Sequence, residues 1–187
     1  MKKDSKLTLQ EEQAVVRASL DDPPKFRPIY DAYHSEVFRF VYSRVADANH
    51  TADIVSTVFY KAIMKLSTFT YSGQSIKPWL IKIAYNETMQ FFRSQKAVRT
   101  VPIEDEALES MAEDTGENTK LSMDMVVPFL DLLGDEELAI VELKYLDKMS
   151  YHDIAEVLEI SEANARVKLH RTIKKLKEQV KEVYDEK

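Results

Sequence analysis

The sequence predicts an all-α protein of two small helical domains joined by an acidic flexible linker, the second containing a helix-turn-helix. Three observations carry this expectation. Apolar residues recur at intervals of three and four through both halves of the chain. Only three glycines occur, Gly73, Gly116 and Gly134, widely separated. Charge falls in blocks: residues 1–100 carry a net +5, residues 101–123 a net −6 and residues 124–187 a net −5.

The scarce residues exclude whole classes of chemistry. With no cysteine there is no disulfide, thiolate zinc site, iron-sulfur cluster or cysteine nucleophile. Three scattered glycines cannot form a phosphate-cradling loop, which removes the P-loop and dinucleotide-binding folds. His34, His50, His152 and His170 sit on separate predicted helices without metal-ligand spacing, so no metal, cofactor or catalytic residue is expected. The N-terminal MKKDSKLTLQEEQ carries basic residues, but no apolar run of signal-peptide or membrane-span length follows it. A soluble, cytoplasmic protein is expected.

The elements follow in chain order. Thr8 and Glu11 have capping-box spacing, and Ala14, Val15 and Ala18 then give a short amphipathic helix ending at Asp21-Asp22-Pro23-Pro24. A second helix beginning near Pro28 carries Ile29, Tyr33, Val37, Phe40 and Val41 inward. In the third, about residues 51 to 66, Val55, Val58, Phe59, Ala62 and Leu66 form the core side. The opposite side holds Asp53, Ser56, Thr57, Tyr60, Lys61 and Met64. A Tyr and a Met beside small hydroxyls suit a protein contact, although a solvated face with two large residues fits the composition equally.

A loop from Phe69 to Pro78 precedes a fourth helix, Trp79 to about Lys96, with Leu80, Ile83, Ala84 and Phe91 toward the core. Tyr71, Lys77, Trp79, Lys82, Asn86, Arg93 and Lys96 interleave aromatic rings with cations and an amide. Rings stack unpaired bases, cations meet the backbone and amides read base edges, which is the composition of a single-strand binding surface. Trp79, directly after a proline at a helix start, also suits a core position.

Ile103 to Lys120 (IEDEALESMAEDTGENTK) has few large apolar residues and reads as part of a linker over residues 100–123, between domains 1–99 and 124–187. Beyond it an apolar helix spans Val127 to Leu133, and another carries Leu138, Ile140, Val141, Leu143 and Tyr145. Ser150 caps a short helix with Ile154, Ala155 and Leu158 inward. After the turn Glu159-Ile160-Ser161, Ser161 caps a last helix whose inward stripe is Ala165, Leu169, Ile173 and Leu176. Opposite that stripe lie Ala163, Asn164, Val167, His170, Arg171 and Lys174, with Arg166 and Lys168 on the flanks. Seven basic residues in the sixteen positions from Arg166 make a DNA-reading second helix the better reading than a solvated basic face.

With these residues in hand, the chain from about Phe26 to Lys177 resembles the bacterial RNA polymerase sigma factors of the extracytoplasmic-function (ECF) type. Four segments carry the resemblance: FRPIYDAYHSEVFRFVYSRV (26–45), DIVSTVFYKAI (53–63), KPWLIKIAYNETMQFFR (77–93) and MSYHDIAEVLEISEANARVKLHR (149–171). The resemblance implies a promoter-specificity subunit that binds core RNA polymerase. It implies that Asp53, Ser56, Thr57, Tyr60 and Met64 dock on the β′ clamp helices and that the second domain meets the β flap. It further implies that the Tyr71 to Lys77 loop and the following helix melt and capture a minus-ten element, with Asn86 near the captured base. Asn164, Arg166, Val167, Lys168, His170, Arg171 and Lys174 would read a minus-thirty-five element. The acidic linker would thread toward the polymerase active site and RNA exit, and an anti-sigma protein is a further partner of such factors. Membrane insertion is not expected.

The chain departs from the family pattern in three places. Ser56-Thr57 stands where Gln-Glu is usual, Gln90 where Asp is usual, and Ala163-Asn164-Ala165 where Gly-Thr-Val is usual. The first departure keeps two rival readings open: a helix-turn-helix regulator that does not recruit polymerase, and a sigma-like protein that needs a co-sigma partner.

Overall fold

The computed structural model describes residues 7–71, 73–95, 129–130 and 132–184. The chain divides into two compact units, Met1–Thr100 and Val101–Lys187. Among the described residues both are helical without strands. The expected linker at 100–123 lies outside the described residues.

The first unit contains α1 (Leu9–Asp21), a 3-10 turn (Pro23–Phe26), α2 (Arg27–Val45), α3 (Ala48–Met64), a second 3-10 turn (Leu66–Thr68) and α4 (Lys77–Gln95). Helix α1 opens on a capping box: the Glu11 amide donates to Thr8 Oγ1 at 3.3 Å, and the Thr8 amide donates to the Glu11 carboxylate at 2.7 Å. Its inward residues are Glu12, Val16 and Ser19, whereas Ala14 is exposed and Val15 and Ala18 are half-buried. The expected apolar stripe is therefore rotated. The surface that α1 meets offers polar atoms of Tyr33, Ser75 and Ile76, and a buried polar side chain goes where hydrogen bonds await it.

Helices α2, α3 and α4 pack mutually. Their shared core is Ile29, Val37, Phe40 and Val41 with Val55, Val58, Phe59 and Ala62 and with Leu80, Ile81 and Ala84. On α4, Ile83 and Phe91 are only half-buried; Ile81 and Thr88 take the inward places, Thr88 donating to the Ala84 carbonyl at 2.8 Å. Arg44 is buried too, its Nη1 donating to the Phe40 carbonyl at 2.8 Å while the guanidinium lies 3.8 Å from the Phe40 ring centroid.

Between α2 and α3, Ala46 ends the first helix in the left-handed region (φ 54°), and Asp47 caps the next by accepting from the His50 amide at 2.8 Å. A glycine at this exposed position removes left-handed strain of about 1–2 kcal/mol at a cost of roughly 0.4–1 kcal/mol in unfolded-chain freedom. Ala46→Gly is expected to raise stability by about 0.5–1 kcal/mol in urea unfolding; a lower midpoint at unchanged slope would contradict this.

The second unit contains α5 (Asp135–Val141), which runs on through one π turn (Glu142–Leu146), then α6 (Tyr151–Leu158) and α7 (Glu162–Tyr184). Leu138, Ile140, Val141, Leu143 and Tyr145 are buried, together with Ile154 and Val157 of α6 and Ala165, Leu169, Ile173, Leu176 and Val180 of α7. Val157 takes the inward place expected of Ala155 and Leu158, which are half-buried. Of the helix expected at 127–133, residues 129 and 130 are helical with Phe129 and Leu130 buried, Leu132 is exposed, and 127, 128 and 131 lie outside the described residues.

Candidate protein and nucleic-acid interfaces

The outer side of α3 presents Asp53, Ser56, Thr57, Tyr60 and Met64 on one face. Tyr60 is 65% and Met64 64% exposed, one helical turn apart. Ser56 Oγ donates to the Ala52 carbonyl at 2.8 Å and Thr57 Oγ1 to the Asp53 carbonyl at 3.0 Å. Both hydroxyls are thus turned onto their own backbone, which leaves the centre of the face short and weakly polar between a carboxylate and two large side chains. Lys61 does not join this face: its Nζ donates to both carboxylate oxygens of Glu87 on α4, at 2.6 and 2.7 Å.

Sequence reading missed a neighbouring feature on α2. Tyr30, His34, Phe38 and Tyr42 form a ladder of ring contacts at four-residue spacing, with centroids 4.9, 6.2 and 6.0 Å apart. Tyr30 also lies 4.7 Å from Phe59 of α3. Tyr30 and Tyr42 are both exposed, and the spacing alone was the available signal.

Around the loop before α4, Phe69 lies between Tyr71 (6.2 Å, edge-on) and Trp79 (5.2 Å). Trp79 is half-buried in this cluster, a compromise between the core and stacking readings. Tyr71 Oη donates to the Leu9 carbonyl at 2.8 Å, and Lys77 Nζ pairs with Glu36 at 2.7 Å. At the tip, Gly73 takes φ 82°, and Gln74 is exposed. On α4, Lys82, Asn86 and Arg93 share one side by their spacing of four and seven; Asn86 and Arg93 are exposed and Lys82 half-buried. Lys96 lies outside the described residues.

In the second unit the turn between α6 and α7 is built as the capping residues require. The Asp153 amide donates to Ser150 Oγ and the Asn164 amide to Ser161 Oγ, both at 3.1 Å, and Glu159 adopts φ 56° to close α6. Helix α7 then presents Asn164, Arg166, Val167, His170, Arg171 and Lys174, all exposed. Arg166 lies 4.4 Å over the Tyr151 ring and pairs with Glu162. Lys174 reaches Glu178 at 3.8 Å. Arg171 makes no ion pair among the described residues.

Two lysines of the basic run are tied back. Lys168 pairs with Glu136 and Lys175 with Glu137 (2.8 Å), both glutamates standing in the first turn of α5, while Lys177 is buried. The lysine hydrogen bonds hold Glu136 and Glu137 below the ordinary carboxylate range, Glu137 being aided by the Gly134 amide. Stability from these pairs is therefore present above that range and is lost only as pH falls through their lowered values. The free basic surface is narrower than residue counting implied.

Among the described residues no His/Asp/Glu group could hold a metal ion, and no helix is long and apolar enough to cross a membrane.

The model of sigma-70 region 2 matches residues 29–98, and that of sigma-70 region 4 matches residues 129–176. The ECF RNA polymerase sigma factor SigM of Bacillus subtilis is 26% identical over 152 residues, covering 80% of this chain and 91% of that protein. SigX of the same organism is 25% identical over 173 residues, covering 86% of each. BldN of Streptomyces coelicolor is 26% identical over 167 residues, 88% of this chain, which spans 63% of BldN's length. Among solved structures, CnrH in complex with the cytosolic domain of CnrY superposes with a TM-score of 0.60 at 15% identity, covering 92% of this chain and 98% of that one. RpoE of Bartonella quintana, in complex with the anti-sigma factor NepR, gives 0.50 at 18% identity over 94% and 96%. At such identities these two likenesses concern the fold alone.

Proposed function

The chain belongs to the extracytoplasmic-function type of the sigma-70 family, the promoter-recognising alternative sigma factors that work with RNA polymerase, and we propose that its two units divide that work as follows. In the first unit, the outer side of α3 docks on core polymerase at the β′ clamp helices through Asp53, Ser56, Thr57, Tyr60 and Met64. The loop before α4 and the side carrying Lys82, Asn86 and Arg93 capture the melted minus-ten element. In the second unit, which meets the β flap, α7 reads the minus-thirty-five element as duplex. The acidic segment 100–123 joins domain 1–99 to domain 124–187.

The observation that carries this reading is that two surfaces of different chemistry follow one another along the chain, and each suits a different form of DNA. An aromatic and amide surface for unpaired bases precedes a helix-turn-helix for duplex. A regulator that only binds duplex needs the second alone. Flipping a base out costs a few kcal/mol, recovered by stacking and pocket contacts. The protein itself carries out no catalysis and acts in the cytoplasm, where polymerase is found. An anti-sigma protein covering the same faces fits this reading. A co-sigma requirement is the second reading, favoured by Ser56 and Thr57, whose hydroxyls are spent on their own helix.

Run-off transcription with purified core polymerase, with and without the protein, on a library of promoter fragments tests the function. New specific transcripts are expected. Binding of DNA without transcripts would favour the co-sigma or regulator reading.

The tied lysines yield a separate expected result. Glu136→Gln with Glu137→Gln frees Lys168 and Lys175 for phosphate, so duplex affinity should rise and the salt slope should steepen by about one per lysine that reaches the backbone. An unchanged slope in an anisotropy titration would place both lysines away from DNA.

A further inference from the structure

Among the described residues of the first unit, Glu12 is the buried carboxylate, and the proposed function does not use it. It is 1% exposed and lies on α1, outside the stretch matched by the region 2 model. Its Oε1 accepts from Tyr33 Oη of α2 and from Ser75 Oγ at 3.1 Å, and its Oε2 accepts from the Ile76 amide at 2.9 Å. Tyr33 Oη and Ser75 Oγ are themselves 2.9 Å apart. Burial, with the Glu12 hydrogen bond added, pushes the Tyr33 phenol above its ordinary range, so Tyr33 stays a donor at neutral pH.

The place of these bonds in the backbone gives them meaning. Ile76 is the residue whose carbonyl accepts the Leu80 amide, at 3.1 Å, so it stands at the entrance of α4. The first amides of a helix have no partner within it. Here the Ile76 amide goes to Glu12, the Lys77 amide to Ser75 Oγ at 3.2 Å, and Pro78 has none to place. The first turn of α4 contains no acidic residue of its own. A carboxylate from 64 positions earlier in the chain therefore supplies the cap and the negative charge that the helix start favours. The loop ahead of it is held by the same helix, through Tyr71 Oη on the Leu9 carbonyl, and Lys77 is held by Glu36 of α2.

We infer that Glu12 is a positioning residue for promoter opening: α1 holds both shoulders of the loop before α4, leaving Gly73 and Gln74 at its exposed tip preset for an unpaired base. The inference rests on the proposed function, because it assigns Glu12 to the minus-ten surface and not to the polymerase-docking face of α3. Its physical advantage is preorganisation. A loop ordered only on contact would lose backbone freedom at the moment of base capture, and that loss would appear in the opening equilibrium.

The test compares Glu12→Gln and Ser75→Ala holoenzymes with wild type on a promoter obtained from the run-off selection. Opening is read by 2-aminopurine fluorescence in the minus-ten element, core affinity by anisotropy of labelled protein. Both variants are expected to lose about tenfold in the opening equilibrium, with core affinity within twofold and the Ile76 amide exchanging faster. Opening unchanged in both would overturn the inference. So would a parallel loss of core affinity, which would make Glu12 a general support of the fold. If wild-type holoenzyme bound core but opened no promoter, the minus-ten assignment would fail first and this inference with it. Ser75→Ala keeps Glu12 in place, so the test stands even where the Glu12 variant folds poorly.

Discussion

Tyr60→Ala is expected to weaken the complex with core polymerase by about 2 kcal/mol, roughly thirtyfold, while leaving the ranking of promoters untouched. The argument starts from exposure. Tyr60 and Met64 are the two large side chains of α3 that remain about two-thirds in water, and they stand next to each other on a face whose remaining members are short. A tyrosine in that position offers a broad apolar ring with little rotamer freedom to lose, the profile of an interface anchor. Met64→Ala should show a smaller loss in the same direction. Affinity measured by anisotropy, set against relative run-off yields from two promoters, separates the readings: a changed promoter ratio at unchanged core affinity would remove α3 from the docking face. The departures at Ser56 and Thr57 sharpen the test. Restoring Gln and Glu there places longer polar groups where two hydroxyls now bond their own backbone, and core affinity should rise.

Arg171→Ala should act at the other end of the protein and with the opposite signature. Arg171 is exposed on α7 and has no ion pair among the described residues, whereas Arg166 is held by Tyr151 and Glu162 and Lys168 by Glu136. A free guanidinium on a recognition helix can bond two acceptors of one guanine edge, a contact worth about 1–3 kcal/mol. Promoter use should fall by roughly fivefold to a hundredfold with core affinity unchanged, and discrimination at one base pair of the minus-thirty-five element should relax. Lys174→Ala is the contrasting case: as a phosphate contact it should weaken all sequences alike and reduce the salt slope by about one. Equal losses of promoter use and core affinity in Arg171→Ala would mean that α7 is misassigned.

These two predictions draw on features that the sequence already displays, and the reason is local. The apolar stripes of α2, α3 and α7 recur at the helical period, so the core residues Val55, Val58, Phe59, Ala62 and Leu66, and Ala165, Leu169, Ile173 and Leu176, are legible without coordinates. The caps Thr8, Ser150 and Ser161 bond amides three residues away and are equally legible. So is the outer face of α3, as the complement of its stripe.

Tertiary structure alone decided which polar residues are spent inside the fold. Glu12 turns inward in place of Ala14 and Val15 because Tyr33, 21 positions away, and Ile76, 64 positions away, supply its hydrogen bonds. Lys61 leaves the face of α3 for Glu87, and Lys168 and Lys175 leave the free surface of α7 for Glu136 and Glu137. Helical period records where apolar side chains point, because water drives them all to one side. A polar side chain has no such common direction; it follows its partner, and the partner's place is known only when the chain has folded.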